Sequence, residues 1–303
     1  MTEDTKLHLG IEAGEVLLKV ALYDPQEKKV VKTAILDTGS NPLDDVFAFE
    51  SALQKWMAGN ENLEIGTVGL TVSSFRAVVK QLIVPPEATD IREYLEWYLG
   101  NLVNANVGDY ILDFAELGES ESGRSVLLIA LRKVWVDAIR KGFRDQNLAP
   151  KILEVDAVSI LNLLEVGTAM DGKLQCVIKA DVTGVMLLWV SQDNIRALRC
   201  CSTLDLAGKE RAEAYALLSK NISSQVKMAN EINGVSVNQY LLCGELATDI
   251  LFVENLRKAV DDKPILPMDS FAEIRLPVDE ESASHVLSCA GAIGVALRSA
   301  KHD

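Results

Sequence analysis

Glu12, Gly14 and Lys19 near the start of the chain, and Asp181, Thr183 and Gly184 half a chain later, are the residues best placed to do chemistry. Each set lies where one apolar run ends and the next begins. Leu7-His8-Leu9 leads into Glu12-Ala13-Gly14-Glu15, and Cys176-Val177-Ile178 leads into Asp181-Val182-Thr183-Gly184. An apolar strand, an acidic turn with glycine and a return strand read as a hairpin. Such a tip offers backbone N–H groups to phosphate oxygens and carboxylates to the water shell of Mg²⁺. Two tips facing across a cleft suit a nucleoside triphosphate with its metal. Recurrence at half-chain spacing predicts two similar lobes.

The elements that must position these tips follow from the pattern of apolar residues. Strands are predicted over 7–11, 16–23 and 30–36, then a helix over 47–57 opened by Asp44-Asp45, then a strand over 64–72. That order is α/β, not all-β. A strand over 75–84 stops at Pro85-Pro86. The helix over 90–103 carries Ile91, Tyr94, Leu95, Tyr98, Leu99 and Leu102 at helical spacing. Strands over 109–117 and 124–131 flank a polar hairpin loop, and a helix over 134–146, a strand over 152–155 and a helix over 159–166 close the first half. The second half repeats the theme: strands over 176–180, 185–190 and 195–201, a long helix over 209–232, a strand over 237–243 and a helix over 246–260. Short extended pieces over 264–268 and 274–277 precede a final small-residue helix over 283–299. The boundary near residues 169–173 has no long linker, so the lobes should pack on each other.

Composition narrows the function classes. The chain has 303 residues, 49% of them hydrophobic, enough for two cores. A formal charge of −14 repels a phosphate backbone, which argues against nucleic acid as a partner. The five cysteines sit mostly in or beside apolar runs with no C-x-x-C pair, and read as buried thiols in a reducing compartment. Three scattered histidines argue against a histidine-based catalytic or metal site. The acidic N-terminus fits no secretory pattern, and no apolar run approaches the ~20 residues that span a bilayer. No basic amphipathic tail is present to grip a membrane. The expected location is cytoplasmic, peripheral at the inner membrane only through a partner, with no direct insertion.

Taken together, the run resembles the actin-like ATPase superfamily, and within it the PilM-like branch of type IV pilus assembly. Glu12-Ala13-Gly14-Glu15-Val16-Leu17-Leu18-Lys19 stands where that branch carries Asp-x-Gly-Ser-x-x-x-Lys. The stretch from Arg76 to Pro85 is similar to the strand entering its small inserted subdomain. Tyr94-Leu95-Glu96-Trp97-Tyr98-Leu99 resembles the helix that follows there. Leu153-Glu154-Val155-Asp156-Ala157 matches the return to the first lobe, and the stretch from Ala290 to Arg298 matches the closing helix. The resemblance implies a two-lobed actin-like ATPase (ribonuclease H-like) α/β fold. Residues 1–75 and 124–170 would form the first lobe, 76–123 the inserted subdomain and 171–303 the second lobe.

It also implies a nucleotide site, which the residues here corrupt. Glu15 replaces a small serine. A carboxylate about 4 Å from phosphate would be repelled by on the order of 4 kcal/mol at an effective dielectric of about 20. Thr183 stands at a glycine position and hinders close backbone approach. A single glycine, Gly244, survives between Cys243 and Glu245 where the adenosine loop should be glycine-rich. The segment from Thr203 to Asn221 is short, so the subdomain roofing the nucleotide reads as reduced. Lys19 keeps its place, and reads equally as a solvated strand lysine.

The expectation is therefore a non-catalytic scaffold with a vestigial nucleotide site (Glu12, Gly14, Lys19, Asp181, Thr183, Gly184 and Gly244) and no metal. No tight cofactor is expected, weak binding of ATP with magnesium being left open. The resemblance implies docking of the N-terminal cytoplasmic tail of a PilN-like membrane protein in the groove between the first lobe and the inserted subdomain. Tyr94, Trp97 and Tyr98 are candidate anchors there, with other pilus or secretion components as further partners. The alternative is an active actin-like ATPase or small-molecule kinase, with Lys19, Asp181 and Thr183 handling phosphate and Mg²⁺.

Overall fold

The computed structural model describes residues 6–143, 148, 150–166, 174–191, 194–203, 206–233, 237–260, 263–269 and 271–301. The expected lobe boundary at 169–173, the end of the helix expected over 134–146 and the acidic N-terminus at 1–5 lie outside them. The halves repeat one topology. Strands β1 (Leu7–Ala13), β2 (Leu17–Asp24) and β3 (Lys29–Asp37) form an antiparallel meander, and β4 (Ile65–Val72) and β8 (Pro150–Val155) extend it in parallel on the β1 side, giving the order β3-β2-β1-β4-β8. Strands β9 (Gln175–Asp181), β10 (Gly184–Ser191), β11 (Asn194–Ser202), β12 (Gln239–Cys243) and β13 (Ile265–Pro267) are arranged likewise, as β11-β10-β9-β12-β13.

Burial explains the strand sequences. In β10, Val185, Leu187 and Trp189 meet helices α5 (Arg211–Asn233) and α6 (Ile250–Ala259), while Met186, Leu188 and Val190 turn to the core between the sheets. A strand buried on both faces reads as an unbroken apolar run. Helices α4 (Asp156–Leu164) and α8 (Ala290–Lys301) pack together against the first sheet. Helix α8, expected within the second lobe, therefore lies against β1, β2 and β4 instead. Three glycines set its distance. A Cβ on Gly10 would meet the Ala292 carbonyl oxygen at 2.0 Å, one on Gly69 would meet Ser299 Oγ at 2.4 Å, and one on Gly294 would meet the Ser159 carbonyl oxygen at 1.9 Å.

Between β4 and β8 the chain makes a separate three-stranded antiparallel sheet, β5-β7-β6, from β5 (Val78–Val84), β6 (Tyr110–Ser120) and β7 (Gly123–Arg132). Helix α2 (Ile91–Leu102) covers one face through Ile91, Leu95 and Leu99. Asp90 caps it by accepting from the Glu93 N–H at 3.1 Å. Leu127 and Leu131 of β7 face the other way, into the core shared with α1 (Val46–Ala58) and α3 (Lys133–Gly142).

Two long helices expected from the sequence are broken. The expected 246–260 helix is a 3-10 turn, Glu245–Thr248, followed by α6. Asp249 divides them, its side chain accepting from the Leu251 and Phe252 N–H groups as an N-cap. The expected 283–299 helix is α7 (Glu280–His285), opened by the Asp279 cap, then a turn, then α8.

Candidate functional site

The two hairpins are similar, but their acids are not equivalent. Both have two-residue tips. Gly14 N–H donates to the Leu17 carbonyl at 2.9 Å around Glu15-Val16, and Asp181 pairs with Gly184 around Val182-Thr183. In that register Asp181 corresponds to Gly14, and Glu12 corresponds to Lys179. Neither Val182 nor Thr183 has positive φ, so the second tip is not a mirror-image turn. Gly184 makes room for an aromatic ring: a Cβ there would lie 2.4 Å from Phe75 Cζ. Gly244 sits at φ 96°, and a Cβ would meet the Ala180 carbonyl oxygen at 2.4 Å, so only glycine allows this close turn.

Between the lobes two ammonium groups are buried among four carboxylates. Lys19 Nζ lies 2.8 Å from Asp181 Oδ1, 3.0 Å from Glu245 Oε1 and 3.4 Å from Glu12 Oε1. Lys179 Nζ lies 2.8 Å from Glu12 Oε1 and 3.3 Å from Asp156 Oδ2, and contacts Asp181 Oδ2. Their side chains are 1% and 2% exposed. Lys19 is thus not the solvated strand lysine that the sequence allowed. Ser74 donates to Asp156 Oδ1 through its N–H at 2.9 Å and through its hydroxyl, and the Glu245 N–H donates to Asp181 Oδ1 at 3.1 Å.

The charges hold one another ionised. Burial works against a charged Lys19, but Asp181 first and Glu12 next raise its pKa above the ordinary value. Burial likewise opposes the charged form of Lys179, and Asp181, Glu12 and Asp156 outweigh it. Burial pushes Asp181 up, but Lys179 and Lys19 together hold its carboxyl well below the usual carboxylate range. For Asp156 burial prevails, and its pKa is raised.

Glu15 does not enter this cluster. Arg76 grips both of its oxygens, with Nε to Oε1 at 2.8 Å, and Asn41 Nδ2 donates to Oε2 at 2.7 Å. The expected repulsion of phosphate by Glu15 is accordingly neutralised in place. Beside the tips lies a cavity of about 720 Å³, lined by Glu15, Arg76, Thr183, Arg211, Tyr215 and Leu246 among others. None of the buried cluster lines it.

No protein-family model and no curated protein matches the chain. Solved structures do. A chain of the PilM–PilN type IV pilus biogenesis complex superposes with a TM-score of 0.75 at 15% identity, over 96% of this chain and 98% of that one. A protein of Bacteroides thetaiotaomicron described as having an actin-like ATPase fold and unknown function gives 0.54 at 9% identity, over 88% and 92%. The chain has the actin-like ATPase fold. The cytoplasmic domain of EpsL, an inner membrane component of the type II secretion system of Vibrio cholerae, shares the actin-like fold at 0.53 and 10% identity, over 99% and 96%.

An actin-like ATPase fold implies a nucleoside triphosphate with a divalent cation, and the donor set here does not fit that pair. The carboxylates that would face a cation already hold the Lys179 ammonium, and both Asp181 oxygens carry ammonium groups. A metal ion would have to expel a buried lysine. Phosphates meet a second obstacle, since Phe75 packs on Gly184 and lines the cavity, and none of the four clustered acids lines it. Within the cluster, the Glu12 Oε2 atom has no hydrogen-bond partner and lies against Gly291 of α8, where a Cβ would come within 2.5 Å.

Of the residues singled out from sequence, Glu12, Lys19 and Asp181 meet in the cluster, Thr183 lines the neighbouring cavity, and Gly14, Gly184 and Gly244 shape the turns. Tyr94 and Tyr98 are half-buried against the inserted subdomain's own core, while Trp97 is 62% exposed beside Tyr94, ring centroids 5.6 Å apart. Sequence reasoning missed Lys179, and it noted Asp156 only as part of a matching stretch. The signal for Lys179 was a single lysine inside Cys176-Val177-Ile178-Lys179-Ala180. A charge in a strand with no polar face needs a buried partner. Among the described residues, no helix is long and apolar enough to cross a membrane.

Proposed function

We propose that this chain is a non-catalytic scaffold at the cytoplasmic face of an inner-membrane platform of the type IV pilus or type II secretion kind. It holds the N-terminal cytoplasmic tail of a PilN-like membrane protein and reaches the membrane only through that partner. Tyr94, Trp97 and Tyr98 on α2 are the anchors for that tail. The fold likeness to a chain of the PilM–PilN complex and to the EpsL cytoplasmic domain supports the setting. One observation carries the loss of catalysis: Lys19 and Lys179 satisfy internally the carboxylates that a metal–nucleotide pair would need. Glu12, Gly14, Lys19, Asp181, Thr183, Gly184 and Gly244 are then the remains of a nucleotide site.

Calorimetric titration with ATP and Mg²⁺ is expected to show no binding up to about 1 mM, which corresponds to about −4.1 kcal/mol. Micromolar binding abolished by Asp181→Ala would sink this reading. It would favour an active ATPase or small-molecule kinase, a reading that draws on the 720 Å³ cavity beside the tips. For the docking arm, Trp97→Ala should lower recovery of the chain with the membrane fraction without moving its melting temperature. Unchanged recovery would remove α2 as the anchor.

A further inference from the structure

A groove of about 1070 Å³ runs between the inserted subdomain and the second lobe. One wall is β5, the end strand of the inserted sheet, and the other is β11, the end strand of the second sheet. Residues 77–83 line one wall without a gap, and residues 196–200 line the other. Strand side chains alternate between faces, so a cavity lying on a face touches every second residue. A cavity touched by each successive residue lies along the edge, where backbone N–H and C=O groups point outward.

Among the described residues neither edge pairs with another strand. β5 is an unprotected template, with regular pairing to β7, no bulge and no proline within it. A single edge lysine commonly serves to repel other strands. Here cations stand on both walls, Lys80 on β5 and Arg196 and Arg199 on β11, and no carboxylate lines the groove. This occurs in a chain of formal charge −14. Phe75, Ile83, Leu102 and Val103 supply apolar surface alongside.

We propose that this groove takes an extended acidic segment of another protein chain, which adds to β5 as a fourth strand. Its length is bounded by the strand it pairs with, the seven residues of β5 at ~3.4 Å each. Backbone hydrogen bonds to β5 hold it, its carboxylates meet Lys80, Arg196 and Arg199, and its alternate apolar side chains meet the aromatic and aliphatic wall. This site is separate from α2's Trp97 and does not depend on the tail-docking reading.

The test uses the full chain and three labelled hexapeptides, read by fluorescence polarisation: alternating Glu-Val, alternating Lys-Val, and the Glu-Val peptide with alternate amides N-methylated. The acidic peptide is expected to bind below about 1 mM, at least about tenfold tighter than the basic one, with N-methylation abolishing binding. Amide exchange should slow in residues 78–84. Lys80→Glu with Arg196→Glu and Arg199→Glu should reverse the charge preference; should that triple variant melt early, Arg196→Glu alone should weaken the acidic peptide. No binding up to about 1 mM, equal binding of the two charge types, or unchanged exchange in β5 overturns the proposal. Two further outcomes also overturn it. Tenfold tighter peptide binding after deletion of residues 1–5 makes this chain's own acidic N-terminus the occupant. A dimer that the peptide dissociates makes a second copy the occupant.

Discussion

Lys179→Met is expected to destabilise the protein by about 3–5 kcal/mol in denaturant unfolding, the usual result of removing one member of a buried ion pair. The variant keeps the length and apolar stem of the side chain but leaves Glu12 and Asp181 with only the Lys19 ammonium and takes from Asp156 its Lys179 partner. The pH dependence should change as well. In the parent, Lys179's pKa is raised above 10.5 on folding, so its contribution is complete below that value and lost as pH rises through the folded pKa. Asp181's pKa is lowered from 3.8, so its contribution is complete above that value and lost as pH falls through the folded pKa. The pair is therefore fully stabilising between about pH 4 and about pH 10. Asp156 shifts the other way: a carboxyl with a raised folded pKa gains stability as pH falls through it. Without Lys179 that rise grows, and the variant should regain stability more steeply than the parent as pH falls below neutrality. Should Lys179→Met fail to fold, adding Glu12→Gln and Asp156→Asn should restore it. A loss under about 1 kcal/mol, with an unchanged pH profile, would mean the cluster is not the tight ionic unit seen here.

Gly294→Ala is expected to cost about 3 kcal/mol, at the upper end of what overpacking usually costs. The added methyl would lie 1.9 Å from the Ser159 carbonyl oxygen and 2.5 Å from its carbon, both backbone atoms of α4. Backbone cannot rotate aside as a side chain can, so α8 must move, and its contacts with β1 and β4 move with it. Gly59→Ala is the control. Gly59 ends α1 at φ −80°, its Cβ would meet nothing nearer than 3.5 Å, and the change should be neutral or stabilising by about 0.4–1 kcal/mol. Chemical denaturation of both variants checks the pair. A Gly294→Ala midpoint equal to that of the parent would refute the close packing of α8 on α4.

The strands were the legible part of the sequence, because sheet burial writes itself as an apolar run. Val185 to Val190 is the plainest case, closed in by helices on one face and the inter-sheet core on the other. The repeated hairpins were legible too, but their register was not. Glu12 and Asp181 both precede a glycine, and only the pairing reveals that one lies inside its strand and the other at a tip. Helix boundaries are illegible where hydrogen bonds set them, since Asp249 and Asp279 start α6 and α7 as N-caps that hydrophobic spacing does not register, and the turn between α7 and α8 splits one apolar pattern. The partners in the ionic cluster were illegible for a different reason. Lys19, Asp156, Lys179 and Glu245 come from distant segments, and their meeting is a product of how the two lobes close. Even Glu15, read as an obstacle to phosphate, depends on Arg76, which the chain brings back only after β4.

The placement of α8 bears on how the protein is made. A ribosome releases β1, β2 and β4 long before the helix that seals their inner face has been synthesised. Until then the strand face that carries Gly10, Glu12, Gly69 and Thr71 stands uncovered on the nascent chain. Truncation ahead of residue 290 should therefore leave an unstable, incompletely packed first lobe, even though every strand of the first sheet is already present.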